Sequence, residues 1–366
     1  MKERVLVAMS GGVDSSVAAA LLVEQGYDVI GATMKLFCYG DDVPDRPCCS
    51  LDSINDARRV CQQLGVPHYV LNLESAFGRD VVDNFVQEYA RGRTPIPCVR
   101  CNTFTKFRDL LRKADAIDAQ WIATGHYARI AGGTLHRGLD PRKDQSYFLW
   151  GIDRSVVRRM LLPVGDRTKM ETRAVAHRLG LEVIAEKTES QDICFVPDGD
   201  HTKILRKQLG ADAPSLSPGP VLLTNGSRVG THDGFARFTI GQRRGLPGGF
   251  RVPMYVVDIR ADERAVVIGP REELLGRGVI ARELNWLTDA PALGARVSVQ
   301  VRHRAPAAGA EIVRLTPDEV ELALDDPVAA ITAGQSLVVY DGSRVLGGGI
   351  IEGSRRSRAP LPILAA

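Results

Sequence analysis

Hydrophobic and polar positions follow two regimes along this chain. Over roughly the first 200 residues, short apolar or β-branched runs at 5–9, 29–37, 68–73 and 121–124 predict strands. Between them, residues 14–25, 53–64, 76–90 and 104–114 carry apolar side chains every three to four positions and predict helices. Gly26 and Gly65 follow two of these helices as stop signals, and Asp52 or Ser53 is expected to cap the start of the second. Strands alternating with helices predict an α/β fold, a doubly wound parallel sheet covered on both faces. Its ligand crevice is expected outside the carboxyl ends of the strands.

The second regime begins after the short helical segment at 201–210. Residues 213–230 are rich in Gly, Pro and Ser, as expected of a linker entering a small β-rich domain. Further on, Val297, Val299 and Val301 alternate with Ser298, Gln300 and Arg302. Segments 311–324 and 336–351 each read as two strands joined by a Pro-Asp or Asp-Gly turn. The expected organisation is a catalytic α/β domain over 1–205, a small central domain over 206–273, and a C-terminal β-barrel or sandwich over 274–366.

Composition narrows the class without naming a function. Of 366 residues, 44% are hydrophobic and 25% charged, which excludes disorder, collagen and a disulfide-stapled miniprotein as the main architecture. No apolar run approaches the roughly 20 residues needed to cross a bilayer, and the N-terminus lacks a signal-peptide pattern, so no membrane partner and a cytoplasmic location are expected. Seven cysteines, an odd number, point to thiol or metal chemistry over a disulfide framework. A net charge of +3 is too mild to imply nucleic acid by itself. Its distribution says more: residues 91–113 hold seven basic side chains against Asp109 alone, and residues 235–251 hold four Arg and no acid. Two basic surfaces are therefore expected.

The sharpest motif is Ser10-Gly11-Gly12-Val13-Asp14-Ser15-Ser16, between a predicted strand and a predicted helix. Two glycines allow a tight turn, while hydroxyls and the unpaired N–H groups of a helix start present donors to an anion. It lacks the Gly-Lys-Ser/Thr ending of a Walker A loop and the spacing of a dinucleotide fingerprint. The segment resembles the signature of the PP-loop ATP pyrophosphatase superfamily, whose members adenylate an oxygen atom and release pyrophosphate. The resemblance implies that Ala8, Met9, Ser10, Gly11, Gly12, Val13, Asp14 and Ser15 line the triphosphate, with Met34 and Gly125 closing the nucleotide pocket. It also implies Asp14 as a partner of Mg²⁺, which offsets triphosphate charge.

A second constellation is Arg93-Thr94-Pro95-Ile96-Pro97-Cys98-Val99-Arg100-Cys101-Asn102, where two prolines stiffen the approach to a CxxC. A further thiol, Cys194, lies in Ser-Gln-Asp-Ile-Cys-Phe. A CxxC is compatible with a redox pair, half a zinc site or iron–sulfur ligation, although no second CxxC or spaced His pair completes a zinc site. Cys38 and Cys61 read as packing thiols, and Cys48-Cys49 is ambiguous.

Together with Thr-Gly-His-Tyr-Ala-Arg at 124–129, the segment 138–150, Gly-Gln-Arg-Arg-Gly-Leu at 241–246 and the terminal segment 333–351, these motifs resemble the bacterial tRNA-specific 2-thiouridylase family (MnmA/TrmU) from first strand to last hairpin. The resemblance implies ATP-dependent adenylation of the C2 oxygen of a wobble uridine in tRNA, followed by attack of sulfur on C2. It makes Cys101 the nucleophile and Cys194 the carrier of a persulfide received from an upstream donor, a cysteine desulfurase or sulfur relay protein. The pair would then close as a disulfide. It further implies tRNA contacts at Ile96, Pro97, Cys98, His126, Lys143, Asp144, Gln145, Arg302, His303 and Gln335. Gln242, Arg243 and Arg244 offer phosphate or sugar contacts.

One departure matters. Many members of the family carry Asn-Pro-Asp where this chain has Ile96-Pro97-Cys98. Cys98, Cys101 and Cys194 are thus three candidate ligands of a [4Fe–4S] cluster with one iron open to hydrosulfide, and the persulfide and cluster routes both stand. The competing readings are another PP-loop adenylating enzyme, such as an amide-forming synthetase, and a non-catalytic RNA-binding module.

Overall fold

The computed structural model describes residues 2–37, 51–187 and 193–356. Cys38, Cys48, Cys49 and the Ser190-Gln191-Asp192 part of the Cys194 motif lie outside them.

The first strand, β1 (Arg4–Ala8), is apolar from Val5 onward because it is central and covered on both faces. Val5 and Val7 point into one apolar cluster, and Leu6 and Ala8 into the other. It pairs in parallel with β2 (Asp28–Lys35) on one side and β4 (Trp121–Ala123) on the other; β3 (His68–Asn72) and β7 (Met160–Leu161) complete the sheet in the order β3-β2-β1-β4-β7. Order reverses beside β1, which places the crevice at its carboxyl end. Helix α1 (Val13–Glu24) follows β1 directly, and α2 (Leu51–Gln63) packs on β2 and β3. Gly26 and Gly65 take φ of 90° and 69°, the left-handed turns expected after these helices. The cap expectation is corrected: helix already runs through Asp52 and Ser53, so neither precedes its start.

Two other helices depart from expectation. The one read over 76–90 starts at Glu74 and widens into a π-turn at Gly78–Val82 before resuming as Asp83–Ala90. The one read over 104–114 begins at Pro97, is α-helical to Arg100, forms a π-turn at Cys101–Lys106, and continues as Phe107–Asp115. Pro97 favours a helix start because its fixed φ suits the first turn, where its missing N–H has no partner to lose. The CxxC therefore lies on the first turns of a helix.

A hairpin, β5 (Ala128–Ala131) and β6 (Thr134–Arg137), turns through Gly132 and Gly133, both at positive φ. It leaves the parallel sheet and joins the C-terminal one. The central region is a four-stranded sheet of β8 (Gly219–Leu223), β9 (Arg228–His232), β10 (Tyr255–Arg260) and β11 (Ala265–Gly269) around its own apolar cluster. The last region is antiparallel: β12 (Leu275–Trp286), β13 (Arg296–Gln300), β14 (Ala308–Leu315), β15 (Glu319–Ala329), β16 (Ser336–Asp341) and β17 (Arg344–Arg356). Pairing of β12 with β17 closes these six strands into a barrel, which resolves the barrel-or-sandwich alternative. The β5–β6 hairpin adds to its wall through β17.

Candidate functional site

The loop between β1 and α1 is built by backbone geometry. Gly11 has φ of 72°, and a Cβ there would sit 2.2 Å from the Ser53 carbonyl oxygen, so only glycine fits between the loop and α2. The Gly12 carbonyl accepts from the Ser15 and Ser16 hydroxyls at 3.1 and 2.9 Å, and Ser15 Oγ in turn accepts the Ser10 N–H at 3.1 Å. Across the crevice, a Cβ on Gly125 would lie 2.5 Å from Asp14 C and Ser15 N, so the turn after β4 and the start of α1 touch backbone to backbone.

A cavity of about 250 Å³ opens at the carboxyl ends of β1, β2 and β4. Ala8, Met9, Ser10, Asp14, Ser15, Met34 and Gly125 line it, whereas Gly11, Gly12 and Val13 shape the loop behind it. Leu36, Lys106, Thr124, His126 and Gln145 complete the described wall. His126, expected beside the nucleotide pocket and at the tRNA, and Gln145, expected at the tRNA, both line this cavity. Leu36, Lys106 and Thr124 were not singled out.

Asp14 is held from outside the motif. Its Oδ1 accepts the Tyr127 hydroxyl at 2.9 Å and the Lys169 ammonium at 2.7 Å. Lys187 donates to the Gly11 carbonyl at 3.2 Å and to Asp56 at 2.8 Å, bracing the loop from behind. Gln145 is fixed by exchange with Tyr127: its Oε1 accepts the Tyr127 N–H, and its own N–H donates to the Tyr127 carbonyl. His126 Nδ1 pairs with Thr124 Oγ1 at 2.7 Å. Burial, aided by the charge of Lys106, pushes its pKa down to about 3, so the ring is neutral.

Asp144 is consumed structurally. Its carboxylate accepts from Gly138 N–H, Ser146 N–H, Ser146 Oγ and Arg137, which ties the start of the short helix Ser146–Phe148 to the hairpin. Arg137 also lies 3.6 Å over the Tyr340 ring of the barrel. Lys143 next to it is half-buried. On the barrel side Arg302 is exposed, and His303 packs its ring 4.4 Å from that of Phe148. Asn102 donates to the Phe148 carbonyl at 3.0 Å, so the CxxC helix, residues 143–148 and the barrel meet. Burial and the neighbouring Arg304 charge lower the pKa of His303, against an opposing pull from Asp144.

The approach to the thiols is docked on the barrel. Gln335 Nε2 donates to the Thr94 carbonyl at 2.9 Å, and Arg93 forms a bidentate pair with Glu352 and a further one with Glu88. Ile96 and Pro97 are buried in this junction. The basic stretch is correspondingly not a free surface: Arg91 and Arg93 pair with Glu88, Arg100 with Glu283, Arg108 with Asp80 and Arg112 with Asp109. Arg243 and Arg244, by contrast, are exposed on the central domain.

Cys98 is exposed on the first helical turn, while Cys101 is 7% exposed and sits in the larger apolar cluster, against which Cys194 also packs. Cys61 is buried on α2, and burial raises its thiol pKa to about 11, a packing role as expected. Among the described residues there is no group of three His, Cys, Asp or Glu side chains that could hold a metal ion, so the expected cluster ligation by Cys98, Cys101 and Cys194 gains no support from the structure; Cys98 is exposed and Cys101 buried. No helix among the described residues is long and apolar enough to cross a membrane.

Comparison with known proteins agrees with this geometry. Residues 3–198 match the family described as tRNA methyl transferase HUP domain, 207–270 its PRC-barrel domain, and 276–351 an aminomethyltransferase beta-barrel domain. The chain is 46% identical to the tRNA-specific 2-thiouridylase MnmA of Rhodospirillum centenum, covering 98% of this chain and 95% of the relative. It is likewise 46% identical to that of Halothermothrix orenii, covering 96% and 99%. A 4-thiouridine synthetase solved as an RNA complex with bound ATP overlaps 57% of this chain and 51% of its own, at 17% identity and a TM-score of 0.35. Near-complete coverage of chains 46% identical, by a molecule with this crevice and these thiols, leads to one assignment: the chain belongs to the tRNA-specific 2-thiouridylase (MnmA) family.

Proposed function

We propose that the protein is a tRNA-uridine 2-sulfurtransferase acting in the cytoplasm, with its domains divided near residues 205 and 273. One observation carries the reading: the helix that bears Cys101 also supplies Lys106 to the wall of the crevice, which links the proposed nucleophile to the proposed activation site.

ATP would enter with its phosphates against the loop 8–15, where the start of α1 offers backbone N–H groups. Mg²⁺ fits the donor set, since this ion takes one or two carboxylates plus substrate phosphates. Asp14 is the carboxylate among the described lining residues, with Lys169 and Tyr127 fixing its Oδ1. The ion would offset triphosphate charge. The uridine C2 oxygen attacks the α-phosphorus and pyrophosphate leaves, which turns a poor leaving group into AMP. The terminal sulfur of a Cys194 persulfide then attacks C2 and AMP departs. The Cys101 thiolate attacks Cys194 Sγ, which releases 2-thiouridine and leaves a Cys101–Cys194 disulfide for a cytosolic dithiol to reopen. Shared packing of Cys101 and Cys194 on one apolar cluster supports this pairing, and no step is routed through an iron–sulfur cluster. The sulfur itself comes from a cysteine desulfurase or a relay protein.

AMP release tests the activity. It should be stimulated by tRNA with an unmodified wobble uridine; ammonia-dependent turnover without RNA would replace the reading with an amide-forming one. Iron analysis after anaerobic reconstitution tests the route. The persulfide route predicts no stoichiometric iron, and iron lost on each of Cys98→Ala, Cys101→Ala and Cys194→Ala would install a cluster-bound sulfide in its place.

A further inference from the structure

We propose that Lys106 is a catalytic residue of the adenylation step, a cation that the π-turn swings from the helix of Cys101 into the nucleotide crevice. This rests on the reading just given. Among the described residues lining the crevice, Asp14 and Lys106 are the charged ones. Burial and the Lys106 charge hold His126 beside them neutral in the ligand-free protein.

The π-turn gives the arrangement its reason. It begins at Cys101 and ends at Lys106. In an α-helix, five residues of separation would place these side chains about 140° apart around the axis. The wider π-turn, with roughly 4.4 residues per turn, reduces this to about 50°, so Lys106 lines the crevice from the same turn that carries Cys101 in the adjoining apolar cluster. The turn is locally unfavourable, since Asn102 Oδ1, Thr103 Oγ1 and Thr105 Oγ1 are all buried without a hydrogen-bond partner. Phe107, the next residue, packs its ring 5.8 Å from His126 and locks the helix against the crevice wall. A π-turn whose buried side-chain oxygens lack partners, held in place by packing and with a charge at its end, is the pattern of a functional site.

The chemistry needs no proton from Lys106. As the C2 oxygen bonds to the α-phosphorus, the bridging P–O bond breaks and its electron pair goes to pyrophosphate. When sulfur later bonds to C2, the C2–O bond breaks and the pair goes to AMP. Negative charge grows on phosphate oxygens in both steps, and an ammonium lining the crevice stabilises it.

The test uses the full chain with ATP and tRNA. Lys106→Met should lower kcat for tRNA-dependent AMP release by about 100-fold, the scale seen when one charge-stabilising donor is removed. Affinity for tRNA should stay within about twofold of the parent, as expected for an interaction made at the transition state. Lys106→Arg should recover part of the rate, and added ethylamine should partly rescue Lys106→Ala, which a merely structural role would not allow. Without any ligand, the His126 imidazole pKa, read by NMR, should rise in Lys106→Met. A Lys106→Met enzyme within about threefold of the parent kcat, or a loss relieved by neither Arg nor amine, overturns the assignment. A parent that releases no AMP on tRNA instead overturns the underlying reading of the activity.

Discussion

The nucleotide crevice and the thiol region are built on opposite principles. The crevice is assembled from backbone: glycines at 11 and 125 let two loops and a helix start touch, and side chains from distant segments then lock the one carboxylate. The thiol region is assembled from docking. Arg93, Thr94 and Gln335 hold the turn before Cys98 to the barrel, and Asn102 ties the helix to Phe148. Under the proposed function the loop would hold phosphates and the thiols would meet a donor, a base and one another in turn. A pocket locked by backbone contacts and thiols spread from surface to core suit those proposed tasks.

The contrast can be broken most sharply by separating the two chemistries. Asp14→Ala should abolish AMP release, with tRNA affinity mostly intact. Cys101→Ala and Cys194→Ala should reduce thiolation to background, while AMP release on tRNA stays within about tenfold of the parent, since the nucleophile acts after activation. Joint loss of both activities in the cysteine variants would mean that the regions are not separable. A smaller effect is expected from Gly125→Ala. Its new methyl would meet the backbone of Asp14 and Ser15, so ATP affinity should fall and unfolding free energy drop by about 1–3 kcal/mol, as in other overpacked sites. Unchanged ATP affinity would show that the crevice wall yields.

The docked half should respond differently. Glu352→Gln weakens a bidentate, partly buried ion pair with Arg93 and should cost about 1–3 kcal/mol in denaturant unfolding, with the ATP affinity of the crevice unaffected. A change in ATP affinity there would show that docking on the barrel reaches the crevice. An effect that is absent at neutral pH and appears only on acidification concerns His126. The folded pKa of His126 lies near 3 and the unfolded one near 6.5. Its contribution to stability is thus fully present above pH 6.5 and lost progressively as pH falls toward 3, because only the unfolded chain takes up the proton. His126→Gln should flatten that part of the stability–pH curve, and an unaltered curve would contradict a neutral ring.

Much of this was legible in the sequence where the signal is contiguous. The Ser10–Ser16 loop, the parallel sheet and the final hairpins are local patterns of glycine, apolar runs and turn residues. The hairpin at β5–β6 was missed although Gly132-Gly133 between two short apolar runs is a turn signal; its strands are only four residues each and pair with a distant barrel. Lys169 and Tyr127 reach Asp14 across 155 and 113 residues of sequence, and no local pattern announces such a contact. The early helix start at Pro97 was obscured because two prolines and a polar Asn-Thr pair break the apolar period. The basic stretch misled for a related reason: its carboxylate partners, Glu283, Glu352 and Asp80, lie elsewhere in the chain.

The central claim, that the crevice activates uridine and the thiols act on the product, is tested most directly by counting AMP and 2-thiouridine from the same single-turnover reaction with and without tRNA. The account predicts one AMP for each 2-thiouridine, and neither product without tRNA. Thiouridine formed without AMP, or AMP released equally fast in the absence of tRNA, would contradict it.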